Sequence, residues 1–268
     1  MTYSTTDDAD SADDPDGLEP ADDADDAGPR YSNPPRAVGV ALLVATVAVG
    51  VAVLVGRALE LFLGAVGPVP APILVEHVLD TALVNAGVFG GVAAAYLRVR
   101  RRAGGGALLR VRRPTRRDLR LAVQGFFAVL AAGAVLHLVV GALGLPTGEN
   151  TLTSRAAADP RLFVVAAVTS LLFVGPGEEL LFRGVVQGRL REAFGPVAAI
   201  TLGGVVFAVP HLVAAYTGPG SLVSIGVVFG VSLALGTLYE VSDTLVVPVV
   251  AHGLYNVAIL AIVAVGAG

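Results

Sequence analysis

The sequence contains no cysteine, no tryptophan and no lysine. Without cysteine the chain can form no disulfide, no thiolate zinc site and no thiol nucleophile. Charged residues are also scarce, at 15% of the chain, where an average soluble domain has about 25%. Four histidines remain as possible nitrogen ligands or bases, and a hydrophobic content of 54% indicates a membrane protein.

The few charges are unevenly distributed along the chain. Eleven of the 22 acidic residues lie between positions 7 and 26. Residues 1–36 hold too little apolar surface to fold, so we predict a disordered acidic tail. The tail lacks the positive n-region of a signal peptide. From residue 31 onward, 17 basic residues face 11 acidic residues, which gives this part a net charge of +6.

Apolar segments long enough to cross a bilayer, about 20 residues each, follow the tail. The sequence predicts spans at 37–56, 73–97, 121–144, 161–192, 196–214, 221–239 and 244–266. An eighth span could lie in the Pro-rich region 58–75. The predicted fold is therefore an all-α, polytopic transmembrane helix bundle with about seven or eight spans.

Ten arginines lie between residues 98 and 120, which join the second and third spans. The positive-inside rule predicts that this loop and the N-terminal tail are cytoplasmic and that 145–160 is external. The arginines most simply determine topology, and binding of anionic membrane lipid is compatible with that role. We do not expect nucleic-acid binding beside two membrane spans.

The predicted organisation has five parts. They are the tail 1–36, the N-terminal spans with the Arg-rich loop at 37–120, the third span with the external loop at 121–160, a membrane core at 161–260, and a C-terminal end at 261–268.

Three polar clusters interrupt the apolar C-terminal spans, where ionisable side chains are costly and usually mark a function. They are GEELLFRG at 177–184 with Glu178, Glu179 and Arg183, FAVPH with Phe207 and His211, and HGLYN with His252 and Asn256. Within each cluster an i, i+4 spacing places two of these side chains on one helix face. Glu178 points roughly 100° away from Glu179, so it can face a different partner.

Helix geometry predicts that the clusters share one depth. Glu178 lies 17 residues before the expected turn at Gly195, and His211 lies 16 residues after it. In an antiparallel pair these residues have nearly equal height. His252 reaches the same level if the 161–192 helix, about 48 Å long, tilts or projects beyond the roughly 30 Å hydrocarbon core.

A carboxylate, two imidazoles and an amide in one cavity can hydrolyse an amide bond. Glu178 beside a histidine could deprotonate water. Alternatively Glu178, His211 and His252 could hold a zinc ion that activates the water. The Asn256 amide and a histidine N–H could stabilise an oxyanion.

Other polar residues in the spans have simpler interpretations. Glu179 and Arg183 alone could be a buried ion pair that joins helices. His137 is typical of a packing or hydrogen-bonding residue. A group formed by Glu76, His77 and Asp80 could be a second polar site or a helix-contact network.

The three motifs together resemble a known family. EELLFR fits EExxxR, FAVPH fits FxxxH and HGLYN fits Hxxx(N/D), in the order found in the CAAX prenyl protease type 2 and bacteriocin-processing intramembrane proteases, the CPBP or Abi family. The resemblance covers roughly residues 160–260. One motif of that family, FxxGxxxG, departs here, because Ser232 stands between Phe229 and Gly236 where the family has its first glycine.

The resemblance implies a multi-span α-helical metalloprotease-like peptidase that acts on a membrane-associated peptide or protein. In the family, the residues matching Glu178 and His211 activate water. Those matching His252 and Asn256 bind metal, such as Zn²⁺, or stabilise the oxyanion. Glu179 and Arg183 match supporting residues, and Phe207 is the first residue of the FxxxH motif. The resemblance gives no role to Glu76, His77 or His137.

Two further hypotheses compete with an intramembrane endopeptidase. The chain could be a non-catalytic membrane scaffold or an immunity-type protein that retains the polar residues. It could also be a proton-coupled transporter that uses the buried Glu and His, although transporters often contain paired repeats with broken helices and none is visible in the sequence.

Overall fold

The computed structural model describes residues 1–2 and 33–266, without the side chain of Val213. Residues 3–32 of the predicted acidic tail lie outside the described residues, as do residues 267 and 268 at the C-terminal end. The described chain is predominantly helical, which confirms the all-α, polytopic fold class.

Eight helices make up most of the described chain. They are α1 Pro34–Val66, α2 Pro72–Arg102, α3 Arg116–Ala142, α4 Thr151–Ala158, α5 Arg161–Arg191, α6 Pro196–Ala208, α7 Ser221–Ser242 and α8 Val246–Gly266. A single helical turn follows α6 at His211–Ala214. Two short strands, β1 Glu149–Asn150 and β2 Tyr216–Thr217, form one antiparallel pair between the loops.

Six of these helices are long and apolar enough to cross a membrane, namely α1, α2, α3, α5, α7 and α8. Many large apolar side chains on them are exposed, such as Leu54 at 70% and Leu138 at 72%. Apolar surface of this extent is unusual for a soluble protein, and contact with lipid explains it. The protein is therefore a membrane protein.

The helix boundaries differ from the predicted spans in several places. Helix α1 continues to Val66, so the Pro-rich region 58–75 holds the end of α1 and the start of α2. Helix α6 has only 13 residues. It ends before Pro210, because proline lacks the N–H that would continue the hydrogen-bond ladder.

Helix α3 begins at Arg116, before the apolar segment predicted from 121. Thr115 caps it: the Thr115 hydroxyl accepts a hydrogen bond from the Asp118 N–H at 3.3 Å, and the Asp118 carboxylate accepts one from the Thr115 N–H at 2.7 Å. This reciprocal capping box satisfies backbone N–H groups that the first turn leaves without helical partners.

Three apolar clusters pack the described helices against one another. In the first cluster, α1, α2, α5 and α6 pack through residues such as Ala45, Phe89, Phe182 and Phe207. A second cluster joins α3, α7 and α8, and includes Leu235. Helix α8 also packs along the first half of α5. The predicted polar motifs of α5, α6 and α8 therefore lie on helices that converge.

The Arg-rich loop folds back onto one end of the bundle. Leu108 and Leu109 lie against Gly188 and Gly184 of α5. The backbone N–H of Leu245 donates to the carbonyl of Arg110 at 2.8 Å, which ties the loop to the turn between α7 and α8. Arg189 and Arg191, which end α5, therefore share this end with the loop. That this end is cytoplasmic stays a prediction.

Candidate active site

Helix α5 changes its pitch on both sides of the two glutamates. Residues Gly175–Glu179 are α-helical, whereas Ser170–Val174 before them and Leu180–Gln187 after them are wider π-helical turns. Pro176 lacks a backbone N–H and crowds the preceding turn, and a widened turn directly before it accommodates both effects. The wider turns thereby change the direction in which Glu178 and Glu179 leave the helix axis, compared with a regular α-helix.

Close helix contacts hold this turn in place. A Cβ atom on Gly175 would lie 3.0 Å from the carbonyl oxygen of Val249 in α8. On Gly177 it would lie 2.4 Å from the carbonyl oxygen of Asn85 in α2. The first distance is tighter than most real Cβ contacts and the second is too short for any, so glycine at these positions allows α5 to approach α8 and α2.

Glu179 and Arg183 form the predicted ion pair inside the bundle. The Arg183 Nε lies 3.2 Å from the Glu179 Oε2, and their side chains are 2% and 0% exposed. One Nη of Arg183 donates to the Ser232 hydroxyl at 3.1 Å and to the Ser232 carbonyl at 3.3 Å. The guanidinium also lies 4.4 Å from the centre of the Phe207 ring, which is a cation–π contact.

His252 connects this pair to Glu178. Its Nδ1 lies 2.8 Å from Glu179 Oε1. A carboxylate oxygen only accepts hydrogen bonds, so Nδ1 carries the hydrogen. The Nε2 of neutral His252 then has a free lone pair, and it lies 4.0 Å from Glu178 Oε2. That distance is too long for a direct hydrogen bond and leaves space for a bridging atom.

Phe207 brings His211 to the same group of side chains. The ring centres of Phe207 and His211 are 4.9 Å apart, and those of Phe207 and His252 are 6.1 Å apart. The His211 Nδ1 donates to the Phe207 carbonyl at 3.0 Å, because a carbonyl can only accept. The Nε2 of neutral His211 therefore also has a free lone pair. Both histidines present the nitrogen that can act as a base.

The structure thus gathers most of the predicted site residues. Glu178, Glu179 and Arg183 come from α5, Phe207 and His211 from α6 and the turn after it, and His252 from α8. Asn256 lies one turn beyond His252 and is half-buried. The contacts of the described residues do not join the Asn256 side chain to the others.

A tetrahedral zinc ion would fix the spacing of the predicted ligand atoms. Two ligand bonds of about 2.1 Å at a tetrahedral angle place the two donor atoms about 3.4 Å apart. Glu178 and His252 are farther apart, at 4.0 Å. Among the residues that the structure describes, no three His, Cys, Asp or Glu side chains are grouped to hold a metal ion. Zinc binding by Glu178, His211 and His252 is an untested prediction of the sequence, and the proposed mechanism does not use a metal ion.

The other polar residues of the spans make helix contacts away from this group. His77 is 3.1 Å from the Thr169 hydroxyl, and Glu76 is 3.1 Å from Arg155. Thr169 precedes Glu178 by nine residues, about 14 Å along α5. His137 donates through Nδ1 to the Gly133 carbonyl at 2.8 Å, within its own helix.

Two uncharged polar residues beside the site were not predicted to belong to it. Ser232 holds Arg183, whereas the sequence distinguished it only as a serine in the place of a family glycine. Asn85 is buried against Gly177, and its side-chain oxygen has no partner among the described residues. Its amide N–H donates to the Thr81 carbonyl at 3.1 Å. A lone asparagine in an apolar span was the only available signal.

Comparison with known proteins adds one match. Residues 160–258, which include all the gathered side chains, match the family model described as type II CAAX prenyl endopeptidase Rce1-like. This confirms the resemblance seen in the three motifs. No curated protein and no solved structure matches the chain significantly.

Proposed function

We propose, since residues 160–258 match the family model of Rce1-like type II CAAX prenyl endopeptidases, that this chain is an intramembrane endopeptidase in which Glu178 and a histidine activate water. The observation that carries the proposal is the relation between Glu178 and His252. A carboxylate and an unprotonated ring nitrogen face each other across 4.0 Å inside a helix bundle, and water can bridge that distance.

In the proposed first step, Glu178 accepts a proton from this water while the water oxygen attacks the carbonyl carbon of the substrate amide. The products of this step are a protonated Glu178 and a tetrahedral oxyanion. His252 accepts a hydrogen bond from the water through Nε2, and Glu179 fixes the imidazole by holding Nδ1–H. A base positioned in this way contributes about 10²–10⁴-fold to the rate.

In the second step, the carbon–nitrogen bond breaks and Glu178 returns its proton to the departing amine. Glu178 is thereby ready for another water. The His211 ring also contacts Phe207, with ring centres 4.9 Å apart, and in its protonated form its Nε2–H would donate to the oxyanion. We assign Asn256 the same stabilising role, on the basis of its position one turn from His252.

The depth of the site indicates the class of substrate. Glu178 lies about 26 Å along α5 from Arg161 and about 20 Å from Arg191, at 1.5 Å per residue. A scissile bond must therefore enter the membrane region of the bundle. We propose that the substrate is a membrane-associated peptide or protein. The family description suggests a prenylated CAAX-type peptide as the first to assay.

The proposal is tested with the full chain in proteoliposomes. Wild type, Glu178→Gln and Glu60→Gln are incubated with a farnesylated CAAX peptide and with a panel of membrane-anchored peptides, and products are identified by mass spectrometry. Glu60 is the matched control, because it is an exposed carboxylate paired with Arg57 on α1. We expect cleavage by wild type and Glu60→Gln, and a loss of at least about 100-fold in Glu178→Gln. Equal rates in all three proteins would contradict the proposal.

A further inference from the structure

The Arg-rich end of the bundle has far more positive than negative charge. Of the described residues there, twelve are arginines: the ten between 98 and 120, with Arg189 and Arg191. Four carboxylates face them, from Asp118, Glu192, Glu240 and Asp243. The described part of this end therefore has a net charge of +8. Such a surface attracts anionic groups.

The carboxylates at this end are already paired with particular arginines. Arg112 binds Asp118, with oxygen–nitrogen distances of 2.5 and 2.8 Å. Glu240 lies 3.2 Å from Arg110 and 3.3 Å from Arg191.

The remaining two carboxylates are paired as well. Asp243 lies 3.0 Å from Arg110, and Glu192 binds both Arg100 and Arg189. Within the described chain no carboxylate contacts Arg98 or Arg101.

Arg98 and Arg101 border a cavity of about 540 Å³ between the last turns of α2 and the loop that follows. Its wall on the α2 side begins with Ala94, Ala95 and Leu97 and becomes charged from Arg98 onward. The opposite wall is the loop segment 105–109. The cavity is therefore apolar toward the middle of the span and cationic toward its end.

Arg100 ties the loop wall of this cavity to α2. Its Nε donates to the Gly106 carbonyl at 2.9 Å, and its guanidinium binds Glu192. The Arg100 side chain thereby fixes the loop beside α2 and is itself occupied. Arg98 and Arg101 remain as exposed guanidinium groups at the cavity rim.

We propose that this cavity, the Arg98–Arg101 pocket, binds the phosphate of an anionic phospholipid. Guanidinium groups bind phosphate through two parallel hydrogen bonds. The pocket lies at the end of a membrane span, where headgroups are located, and its apolar wall suits the glycerol and the first carbons of the acyl chains. Its volume lies within the range of about 300–1,000 Å³ that is usual for ligand sites. This site is independent of the proposed proteolysis.

The test measures thermal unfolding of the full chain in a neutral detergent. The added probes are dioctanoyl-phosphatidylglycerol, dioctanoyl-phosphatidylcholine and inorganic phosphate. We expect only phosphatidylglycerol to raise the unfolding midpoint of wild type, by at least about 3 °C at a lipid concentration well above Kd. A shift of equal size with phosphatidylcholine would overturn the preference for anionic lipid. An equal shift with inorganic phosphate would mean that the pocket takes the free ion, which overturns the lipid assignment.

Three variants locate the effect. Arg98→Gln/Arg101→Gln should abolish the shift caused by phosphatidylglycerol. The control Arg113→Gln/Arg117→Gln removes the same charge from exposed positions outside the pocket and should keep the shift. Ala95→Trp keeps both pocket arginines, fills the apolar wall and should reduce the shift. A shift that persists in the pocket double variant, or that both double variants lose equally, would overturn the proposal.

Discussion

The His252 Nδ1 lies 2.8 Å from Glu179 Oε1, and the other oxygen of Glu179 lies 3.2 Å from Arg183 Nε. One buried carboxylate thus joins an imidazole on α8 to a guanidinium on α5. Because Ser232 on α7 holds Arg183 in turn, three helices determine how His252 is oriented toward Glu178. These side chains form one connected network of hydrogen bonds and ion pairs, so a substitution at one residue should affect the position of its neighbour in the network.

Glu179→Gln should destabilise the protein strongly. The substitution removes the negative charge and leaves the Arg183 cation, which is only 2% exposed, without its ion-pair partner. Removing one partner of a buried pair typically costs about 3–5 kcal/mol. We expect a lower thermal unfolding midpoint in detergent, and loss of cleavage because His252 loses the carboxylate that orients it.

The double variant Glu179→Gln/Arg183→Met separates stability from activity. It removes the uncompensated cation, so most of the lost stability should return, as in other buried pairs replaced by apolar side chains. Cleavage should stay low because the carboxylate is still missing. If the double variant were as unstable as Glu179→Gln, the buried charge of Arg183 would not be the cause of the lost stability.

Ser232→Ala should weaken the same network at Arg183. The Ser232 hydroxyl accepts a hydrogen bond from Arg183 at 3.1 Å, and a hydrogen bond to a charged group contributes about 1.5–3 kcal/mol. Because the Ser232 carbonyl still binds Arg183, we expect the free energy of unfolding to decrease by an amount at the lower end of that range.

The matched control for Ser232→Ala is Thr237→Ala. Thr237 lies on the exposed side of the same helix, and its hydroxyl donates to the Leu233 carbonyl at 2.8 Å. This change should alter the unfolding free energy by no more than about 0.5 kcal/mol. Equal effects of the two variants would show that Ser232 has no special role in holding Arg183.

Gly177→Ala should distort the turn that carries Glu178. The added Cβ would lie 2.4 Å from the Asn85 carbonyl, which is backbone and cannot rotate away. Overpacking of this kind costs about 1–3 kcal/mol, and displacement of Glu178 should also reduce cleavage. The control is Gly91→Ala in α2, where no neighbouring atom lies within 4 Å. Alanine should stabilise that helix by about 0.5–1 kcal/mol, so effects of the same sign in both variants would contradict the steric explanation.

The convergence of the charged residues could be predicted because each stands out in an apolar segment. Glu178 and His211 were expected at equal height from residue counts alone, and the structure places both next to the pair formed by Phe207 and His252. A residue count of this kind depends on α5 being one continuous helix and on the short turn after it.

The contributions of Ser232 and Asn85 could not be predicted in the same way. Both are uncharged, and their importance arises from the close approach of α7 and α2 to α5. Sequence periodicity predicts which face of a helix is apolar but does not show which neighbouring helix packs there. The π-helical turns around Gly175–Glu179 were also not anticipated, since only Pro176 indicates them.

Removal of metal distinguishes the two water-activating chemistries left open by the sequence. The present spacing leads us to expect that the full chain, purified without chelators, contains well under one zinc ion per molecule and keeps its activity after dialysis against 1,10-phenanthroline. Glu178 and His252 would have to approach each other from 4.0 Å to about 3.4 Å to share a tetrahedral ion. Stoichiometric zinc that disappears in His252→Ala, with activity restored by added Zn²⁺ after chelation, would contradict this expectation and establish a metal-dependent site.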